Sequence, residues 1–393
     1  MKSKILLVLA VCTFAAAAMV AQPNPTITVN CTLGQSLNAT LSKLPRQLPV
    51  TVMVKGTCTE YVTINGFDSL TLKGLPGATL QQPGTTPGGG VPVYVLLIEA
   101  SRSITIAGFA IHSNPSALAA VAIGRNSIDV QLRDLTVDGG STFGFFMYEE
   151  SQVSLARVTA RDAGFSTLGA YDISDVHIEQ SLFENTTTTG SHWGLSVGSG
   201  HVTMQSTTIR NMQFGIDINE RGDVNIQSFN SYYPVVRPND VLIDNPEGSN
   251  YQGVKISGNS SLSLGDTKLR INNAGQPFGS NTAAVWVFES STLSDWNGNL
   301  IISGSQGQGI FVSNSAHASI AGSTVTGGSH GGLVAVNQSS IWVVQGNAPT
   351  LVGGNATDVF CDSTSYITGG AHLAGVPTTN CGNLQPDDTV PLP

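Results

Sequence analysis

A unit of two apolar residues separated by one other residue recurs along this 393-residue chain at a nearly constant interval. Most successive units begin 22 to 26 residues apart, while one interval of 38 residues contains an insertion and one of 56 divides at Leu293. The units are Ile104/Ile106, Val130/Leu132, Val153/Leu155, Val176/Ile178, Val202/Met204, Val224/Ile226, Leu262/Leu264, Ala318/Ile320 and Ile341/Val343. Such a period indicates stacked repeats, each burying its apolar face against its neighbours.

Each period contains three short segments in which apolar and polar residues alternate. Residues 309–312, 318–320 and 323–325 form one such set, with Asn, Ser or Gly between the segments. Alternation predicts strands, and connections this short exclude the helical crossover of a β-α-β sheet. The sequence therefore predicts an all-β coil of about eleven turns between Thr51 and Leu373, in which each strand pairs in parallel with its equivalent one turn later.

Residues that tolerate a left-handed backbone recur at one fixed place in the repeat. They stand nine residues after the first apolar residue of their unit: Gly139, Asp162, Asn185, Asn211 and Gly327. Asn, Asp and Gly adopt positive φ more readily than other residues. We therefore expect a repeated tight turn at one corner of the coil.

The two ends of the chain differ from the repeat. Residues 1–21 have two early lysines, an apolar run and small residues before a cut after Ala21, which predicts a secretory signal. Residues 22–50 are expected to form an N-terminal cap, residues 51–381 the coil and residues 382–393 a flexible tail. The cap contains a helical stripe that stops at Pro45 and comprises Leu33, Leu37, Leu41 and Leu44.

Four cysteines remain after the signal, in one pair near each end: Cys31, Cys58, Cys361 and Cys381. In an oxidising compartment, disulfides joining the members of each pair are the simplest of three connectivities. A zinc site is the alternative, but no Cys-x-x-Cys spacing supports it.

Charge and hydropathy narrow the location and the partners. No later segment reaches the ~20 apolar residues needed to span a bilayer, so we expect a secreted protein that is extracellular, periplasmic or on the cell surface. The formal net charge is −9, and removal of the two signal lysines makes it more negative. Nucleic acid is therefore excluded as a partner, because its binding depends on basic residues. The sequence gives no indication of the oligomeric state.

The period, the three strands per turn, the leucine stripe, the export signal and the terminal cysteines together resemble the pectate-lyase-like superfamily. That resemblance covers most of the mature chain and implies a single-stranded right-handed parallel β-helix with an N-terminal capping helix. The superfamily includes polysaccharide lyases, glycoside hydrolases, esterases, epimerases, phage tailspikes and adhesins, so the resemblance does not select a reaction.

The catalytic motifs of two enzyme families in this superfamily are not matched. Polygalacturonase-like enzymes have an Asp-Asp pair, a Gly-His-Gly and an Arg-Ile-Lys. Here the corresponding segments are Asp387-Asp388 in the tail, Ser329-His330-Gly331 and Arg270-Ile271-Asn272. Pectate lyases resemble one another in an Asp cluster that binds calcium and an arginine that acts as base. No matching motif and no series of acidic residues with calcium-loop spacing appears here. We expect no metal site and no cofactor, and calcium is the one ion that the sequence leaves open.

Strand alternation predicts which residues face outward. If Ile216 and Ile218 face the core, Asp217 and Asn219 face out. The same register gives an outward row of Phe146, Asp172 or Tyr171, Ser196, Asp217, Lys255, Trp286, Phe311 and Val334. A second outward row adds Tyr148, Asn219 and Phe288. The exterior should thus carry carboxylates in the middle and aromatic rings on either side.

Asp172 and Asp217 are the catalytic candidates. Two turns apart, their backbones would lie roughly 10 Å apart, near the ~6.5–9.5 Å between the carboxyl groups of inverting glycosidases. The alternative, which we favour, is that both are solvated surface acids, as Glu149, Glu150 and Glu220 can also be.

The candidate binding residues are Phe146, Tyr148, His192, Trp193, Glu220, Trp286 and Phe311. Exposed aromatic faces pack on the C–H faces of sugars, although some of these rings could instead fill the coil, and a lone histidine is more often a packed or surface residue.

The leading hypothesis is a secreted, glycan-directed β-helix protein with a binding or structural role and an extracellular polysaccharide as partner. The first alternative is a polysaccharide lyase or glycoside hydrolase. The second is an extracellular adhesion or matrix protein that recognises protein.

Overall fold

The computed structural model describes residues 24–84, 93–186, 192–229, 240–245, 252–275, 282–375 and 378–386. The expected signal peptide and the last seven residues of the expected tail lie outside these ranges. Within them the chain forms one continuous coil of three parallel sheets, with 14 strands in sheet 1 and 13 each in sheets 2 and 3. Each turn passes through sheet 1, then sheet 2, then sheet 3.

Short strands make up nearly all of the regular structure. Sheet 1 contains Thr26–Asn30, Val50–Lys55, Leu70–Gly74, Arg102–Ala107, Ile128–Arg133, Gln152–Ala156, Asp175–Glu179, His201–Gln205, Asp223–Ile226, Ser261–Leu264, Thr292–Asp295, His317–Ile320, Ser340–Val343 and Tyr366–Thr368. Sheet 2 contains Thr57–Thr59, Thr79–Gln81, Ala110–His112, Thr136–Asp138, Thr159–Arg161, Leu182–Glu184, Thr208–Arg210, Val241–Asp244, Leu269–Asn272, Leu300–Ser303, Thr324–Thr326, Thr350–Gly353 and Leu373–Ala374. Sheet 3 contains Val62–Asn65, Tyr94–Glu99, Ala119–Gly124, Phe143–Met147, Ser166–Tyr171, Trp193–Gly198, Phe214–Asn219, Gln252–Ile256, Ala283–Val287, Gln308–Ser313, Gly331–Val336, Val359–Cys361 and Thr379–Cys381.

The apolar repeat read from the sequence is the register of sheet 1. Val153 pairs with Val176, and Val176 pairs with Val202. The unit inferred at Leu293 also holds, since Leu293 lies between Leu262 and Ala318 in the same sheet. These residues are fully or almost fully buried, and burying each such aliphatic side chain contributes about 1.5–3 kcal/mol. The stacked core thus confirms the predicted parallel β-helix.

The coil has about 13 turns rather than the expected eleven. The prediction began at Thr51, but Thr26–Asn30 already pairs with Val50–Lys55. At the other end, Thr379–Cys381 adds a strand to sheet 3. Thr26–Asn30 carries the apolar pair Ile27/Val29 but falls in the segment assigned to the cap. Thr379–Cys381 is short and partly exposed and lacks the apolar alternation by which the internal turns were recognised. The predicted right-handed sense is the one expected for parallel crossover connections.

All three corners of the coil use left-handed backbone, and the corner between sheets 1 and 2 does so at Gly108, Asp134, Arg157 and Gln180. At the predicted corner, Gly139, Asp162, Asn211 and Gly327 have φ values of 90°, 53°, 58° and 76°, whereas the prediction is wrong for Asn185, whose φ is not positive. At the corner between sheet 3 and sheet 1, two consecutive residues are left-handed in many turns. We call this stack the left-handed column; it includes Arg125-Asn126, Glu149-Glu150, Asp172-Ile173, Glu220-Arg221, Glu289-Ser290, Asn314-Ser315 and Asn337-Gln338.

A five-residue helix, Leu37–Leu41, lies before the second strand of sheet 1, and two 3-10 turns occur at Cys31–Leu33 and Gly370–His372. The helix is shorter than the leucine stripe, because Leu33 lies in a 3-10 turn and is 76% exposed. The Glu60 carboxylate accepts hydrogen bonds from the first backbone N–H groups of the helix, as expected for an anion at a helix N-terminus.

Disulfides join Cys31 to Cys58 and Cys361 to Cys381, as predicted. Near the C-terminus, the first described residues of the expected tail hydrogen-bond to the last strand of sheet 1, with Gln385 N–H donating to the Ile367 carbonyl. No helix in the described part of the chain is long and apolar enough to cross a membrane.

Candidate functional site

The outer face of sheet 3 carries most of the aromatic side chains that lie outside the core. Inward residues of its strands, such as Leu195 and Ile216, belong to the buried core, and alternation places their immediate neighbours outside. Phe143, Trp193 and Phe214, which begin their strands, are not part of that core and pack against the exterior rings instead. We call this exterior the aromatic surface; it comprises Phe143, Phe146, Tyr148, Phe165, Tyr171, Trp193, Phe214, Trp286, Phe288 and Phe311. It extends over seven successive strands of the sheet, about 29 Å at ~4.8 Å per turn.

The first part of the aromatic surface is a cluster of four rings. Phe146 stacks on Phe143 with 4.7 Å between centroids and on Tyr148 with 4.9 Å. Tyr171, one turn further along, packs against both phenylalanines at about 6 Å. Stacked and edge-to-face pairs at these distances add to the stability gained from burial. The rings therefore support one another as a fixed platform.

Trp193 continues this platform over the next turns. Its ring lies 4.3 Å from Phe165 and 5.2 Å from Phe214 between centroids. Trp193 pairs with Ser166 on one side and Phe214 on the other, in the row that also contains Phe143. In each strand, the residue of this row stands three positions before the residue of the predicted outward row. The exterior of sheet 3 therefore extends further towards the starts of the strands than alternation from Asp217 predicted.

A second aromatic cluster lies towards the C-terminal end. Trp286 stacks on Phe288 with 4.3 Å between centroids and packs against Phe311 at 6.2 Å. Phe311 and Val334 are each only 6% exposed and form an apolar cluster separate from the main core. A shallow depression beside this cluster is lined by Gln308, Phe311, His330, Gly331, Val334, Val336, Thr357 and Phe360. The exterior of the sheet thus has its own packed apolar layer.

An ion pair joins the two clusters. The Lys255 ammonium lies 3.0 Å from Asp217 Oδ1, and Asn219 donates a hydrogen bond to Asp217 Oδ2 at 2.8 Å. Asp217 is fully buried, whereas the Lys255 side chain is 21% exposed. The ammonium also lies 5.7–5.9 Å from the ring centroids of Trp193, Phe214 and Phe288, within the range of cation–π attraction.

Tyrosine hydroxyls provide polar groups within the first cluster. Tyr148 donates to Glu99 Oε1 at 3.2 Å, and the Tyr171 and Ser196 hydroxyls lie 2.5 Å apart. Burial, and then the charge of Glu99, raise the pKa of Tyr148. Burial likewise raises the pKa of Tyr171. Both phenols therefore remain neutral hydrogen-bonding groups across the physiological pH range.

One position of the predicted outward row is wrong. Gly169 stands in the row where Asp172 or Tyr171 was expected. The other members of the row are as predicted: Phe146, Ser196, Asp217, Lys255, Trp286, Phe311 and Val334. Tyr171 instead pairs with Gly198 in the second row. Asp172 lies beyond the end of its strand, exposed in the left-handed column with φ of 51°.

The two catalytic candidates therefore lie in different environments. Asp217 is on the outer side of its strand but is covered by its partners, whereas Asp172 is exposed in a turn. Of the other nominated residues, His192 is half-buried with Nδ1 2.8 Å from the Ala163 carbonyl oxygen. Glu220 is exposed in the left-handed column.

Five residues of the aromatic surface were missed as binding candidates: Phe143, Phe165, Tyr171, Phe214 and Phe288. The available signal was the aromatic residue that begins three sheet 3 strands, three positions before the predicted row in Phe143–Met147, Trp193–Gly198 and Phe214–Asn219. Within the described ranges, one group of metal-ligand atoms lies close together, that of Cys31, Cys58 and Glu60. Both of its sulfurs are joined in a disulfide, so it cannot supply thiolate ligands.

Three stacked parallel sheets around one apolar core define a parallel β-helix protein. Among solved structures, the chain is similar to PfbA, a surface adhesin of Streptococcus pneumoniae, with 13% identity over 87% of this chain and 93% of that one and a TM-score of 0.43. It is also similar to an alginate lyase from Paenibacillus sp. str. FPU-7, with 11% identity over 92% and 97% of the two chains and a TM-score of 0.27. No protein-family model and no curated protein sequence matches this chain.

Proposed function

We propose that this protein is an exported glycan-binding β-helix protein and that an extended polysaccharide binds along the aromatic surface. The observation that supports this proposal is the series of rings on one face of the coil, from Phe143 to Phe311, which forms two clusters joined by Lys255. Aromatic faces pack on the apolar C–H faces of sugar rings, and tyrosine hydroxyls add hydrogen bonds. Because neighbouring rings pack on one another, little conformational entropy is lost on binding.

The location proposed is outside the cytoplasm. The N-terminal pattern of a secretory signal supports export, and two disulfides fit an oxidising compartment. The same features suit a protein that meets polysaccharides at a cell surface, in a periplasm or in the surrounding medium.

Binding to a glycan array tests the proposal, with Trp286→Ala as the diagnostic variant. Trp286 is a partly exposed ring at the centre of the second cluster, so its loss should weaken affinity at least about tenfold. Trp296→Ala is the matched control, because Trp296 is 54% exposed and lies between sheets 1 and 2. Equal losses in both variants, or no glycan bound by the native protein, would contradict the proposal.

Catalysis by a polysaccharide lyase or glycoside hydrolase has less support. It would need Asp217 as an acid or base, yet Asp217 is fully buried and both of its oxygens have partners. Incubation with plant and microbial polysaccharides, followed by assay of reducing ends and unsaturated products, tests this alternative. Turnover that disappears in Asp217→Asn would favour the enzyme, with calcium added in a parallel series.

Recognition of a protein, as in an adhesion or matrix protein, is the remaining alternative. The apolar cluster around Phe311 could pack against a protein as well as a sugar. Binding to a host or matrix protein without any glycan binding would favour it.

A further inference from the structure

We infer that the aromatic surface selects a neutral polysaccharide and discriminates against polyuronates and other anionic chains. This inference rests on the proposed function and names the chemical class of its ligand. It is carried by two independent observations, the neutralisation of Lys255 and the charge of the left-handed column.

Lys255 is the one lysine or arginine in the described strands of sheet 3, and its charge is already balanced. Its ammonium lies 3.0 Å from the fully buried Asp217 carboxylate. Three rings surround the ammonium at 5.7–5.9 Å and compete with any incoming anion. A uronate that paired with Lys255 would have to draw it from Asp217 and leave a buried carboxylate without its counterion, which is costly. A ligand on the aromatic surface therefore meets almost no net charge from the ion pair.

The edge of the aromatic surface is acidic. Four carboxylates directly follow outward residues of sheet 3 in the chain: Glu149 after Tyr148, Asp172 after Tyr171, Glu220 after Asn219 and Glu289 after Phe288. Glu150 follows Glu149, and all five side chains are exposed in the left-handed column. Because the column stacks one turn upon the next, the carboxylates form a line beside the rings, which is interrupted at the turns of Ser199 and Asn259.

Basic side chains in the column offset only part of this charge. The column contains Arg125 and Arg221, and Arg125 is paired with the almost buried Glu99 at 3.1 Å. The line of carboxylates therefore remains a net negative rim. A neutral chain meets no repulsion from this rim, whereas a polyuronate would bring one negative charge per sugar along its length. Repulsion between exposed charges acts over about 8 Å at physiological ionic strength.

Matched pairs of oligosaccharides test the inference by isothermal titration calorimetry. Oligomers of glucose, mannose and galactose are compared with glucuronate, mannuronate and galacturonate oligomers of equal length and linkage. We expect at least about tenfold tighter binding of the best neutral oligomer than of its uronate. Added salt should leave neutral binding unchanged and narrow the difference, because it screens the rim.

A charge variant tests whether the carboxylates of the rim cause the discrimination against uronates. Glu149→Gln/Glu150→Gln removes two rim charges and should raise the uronate-to-neutral affinity ratio about threefold or more. Asp129→Asn/Asp175→Asn removes two charges from sheet 1, on another side of the coil, and should leave the ratio unchanged. Tighter binding of uronates by the native protein, or an equal change of the ratio in both variants, would overturn the inference while leaving glycan binding established. Absence of binding to every oligomer would overturn the proposed function as well.

Discussion

At the scale of single residues, the Asp217–Lys255 pair shows how one side chain on the exterior of a sheet becomes buried. Asp217 lies between Ile216 and Ile218, both in the core, so alternation places it outside. Lys255 follows 38 residues later but pairs directly with Asp217 in the next turn. Its ammonium and the surrounding rings then cover the carboxylate. The charge is tolerated there because Oδ1 forms an ion pair with the Lys255 ammonium and Oδ2 accepts a hydrogen bond from Asn219.

Lys255→Met should lower the free energy of unfolding by about 3 kcal/mol, since it leaves a buried carboxylate without its counterion. The double variant Asp217→Asn/Lys255→Met should recover part of that loss. Urea denaturation measures both. The control is Arg102→Met, which breaks the exposed Arg102–Asp68 pair and should cost less than about 1 kcal/mol. This account would be contradicted if the separate losses in Lys255→Met and Asp217→Asn added up to the loss in the double variant.

His201 on sheet 1 gives a pH-dependent contribution to stability. Its hydrogen bond with Asp223 at 2.8 Å raises the pKa of His201 above its ordinary value of 6.5. Although burial opposes it, hydrogen bonds from His201 and Ser261 hold the pKa of Asp223 below its ordinary value of 3.8. The histidine's contribution is present below pH 6.5 and lost as pH rises through the raised pKa. The carboxylate's contribution is present above pH 3.8 and lost as pH falls through the lowered pKa.

The stability difference between the native protein and His201→Gln should therefore be greatest between about pH 4 and pH 6.5 and should shrink on either side. Unfolding midpoints measured across this range test the prediction. His317 provides a contrast, because burial lowers the pKa of its imidazole; its neutral form is favoured in the fold, so its contribution is lost as pH falls. A pH-independent difference for His201→Gln would contradict the proposed pairing.

At the scale of elements, each turn is held by its corners as much as by its strands. Buried serines lie at the corner between sheets 3 and 1 in many turns, including Ser127, Ser291 and Ser365. Their hydroxyls accept hydrogen bonds from the backbone N–H of the serine one turn earlier, as Ser291 does from Ser260 and Ser365 from Ser339. This ladder satisfies backbone donors where the strands end. The sequence analysis did not identify it, because serine occurs throughout the chain.

Ile173 is poorly suited to its place in the left-handed column. It has φ of 63° and its side chain is 71% exposed, whereas β-branched residues rarely adopt this conformation. Ile173→Asn should therefore raise the free energy of unfolding by about 1 kcal/mol. The reverse change, Asn126→Ile at an equivalent position with φ of 58°, should lower it by a similar amount. A urea midpoint that does not increase in Ile173→Asn would count against backbone strain at this position.

At the scale of the whole molecule, the coil is a one-dimensional array in which each turn contacts its neighbours. The ends lack one neighbour, and each end carries a disulfide that joins adjacent turns. The loop closed by Cys31 and Cys58 spans 27 residues, which corresponds to about 3–4 kcal/mol of stabilisation in the chain-entropy description. The disulfides therefore protect the two positions where fraying would begin.

Cys31→Ser/Cys58→Ser should destabilise the first turns without affecting the middle of the coil. Hydrogen exchange should become faster in Thr26–Asn30 and Val50–Lys55 and remain unchanged in Phe214–Asn219, because a local loss does not propagate through a stacked array. Exchange that accelerates equally in all three strands would show that the coil unfolds as one cooperative unit instead.

The sequence by itself determined the strands, their parallel stacking, the cysteine pairs and most of the row from Phe146 to Val334. It could do so because the inward residues repeat, and a slip of one residue would expose every one of them. Only the tertiary structure decided where Ser166–Tyr171 ends, and hence that Gly169 rather than Asp172 completes the row. Only it showed that Lys255 covers Asp217. Alternation specifies the face on which a side chain lies, whereas strand ends and burial depend on turns and neighbours that are distant in the chain.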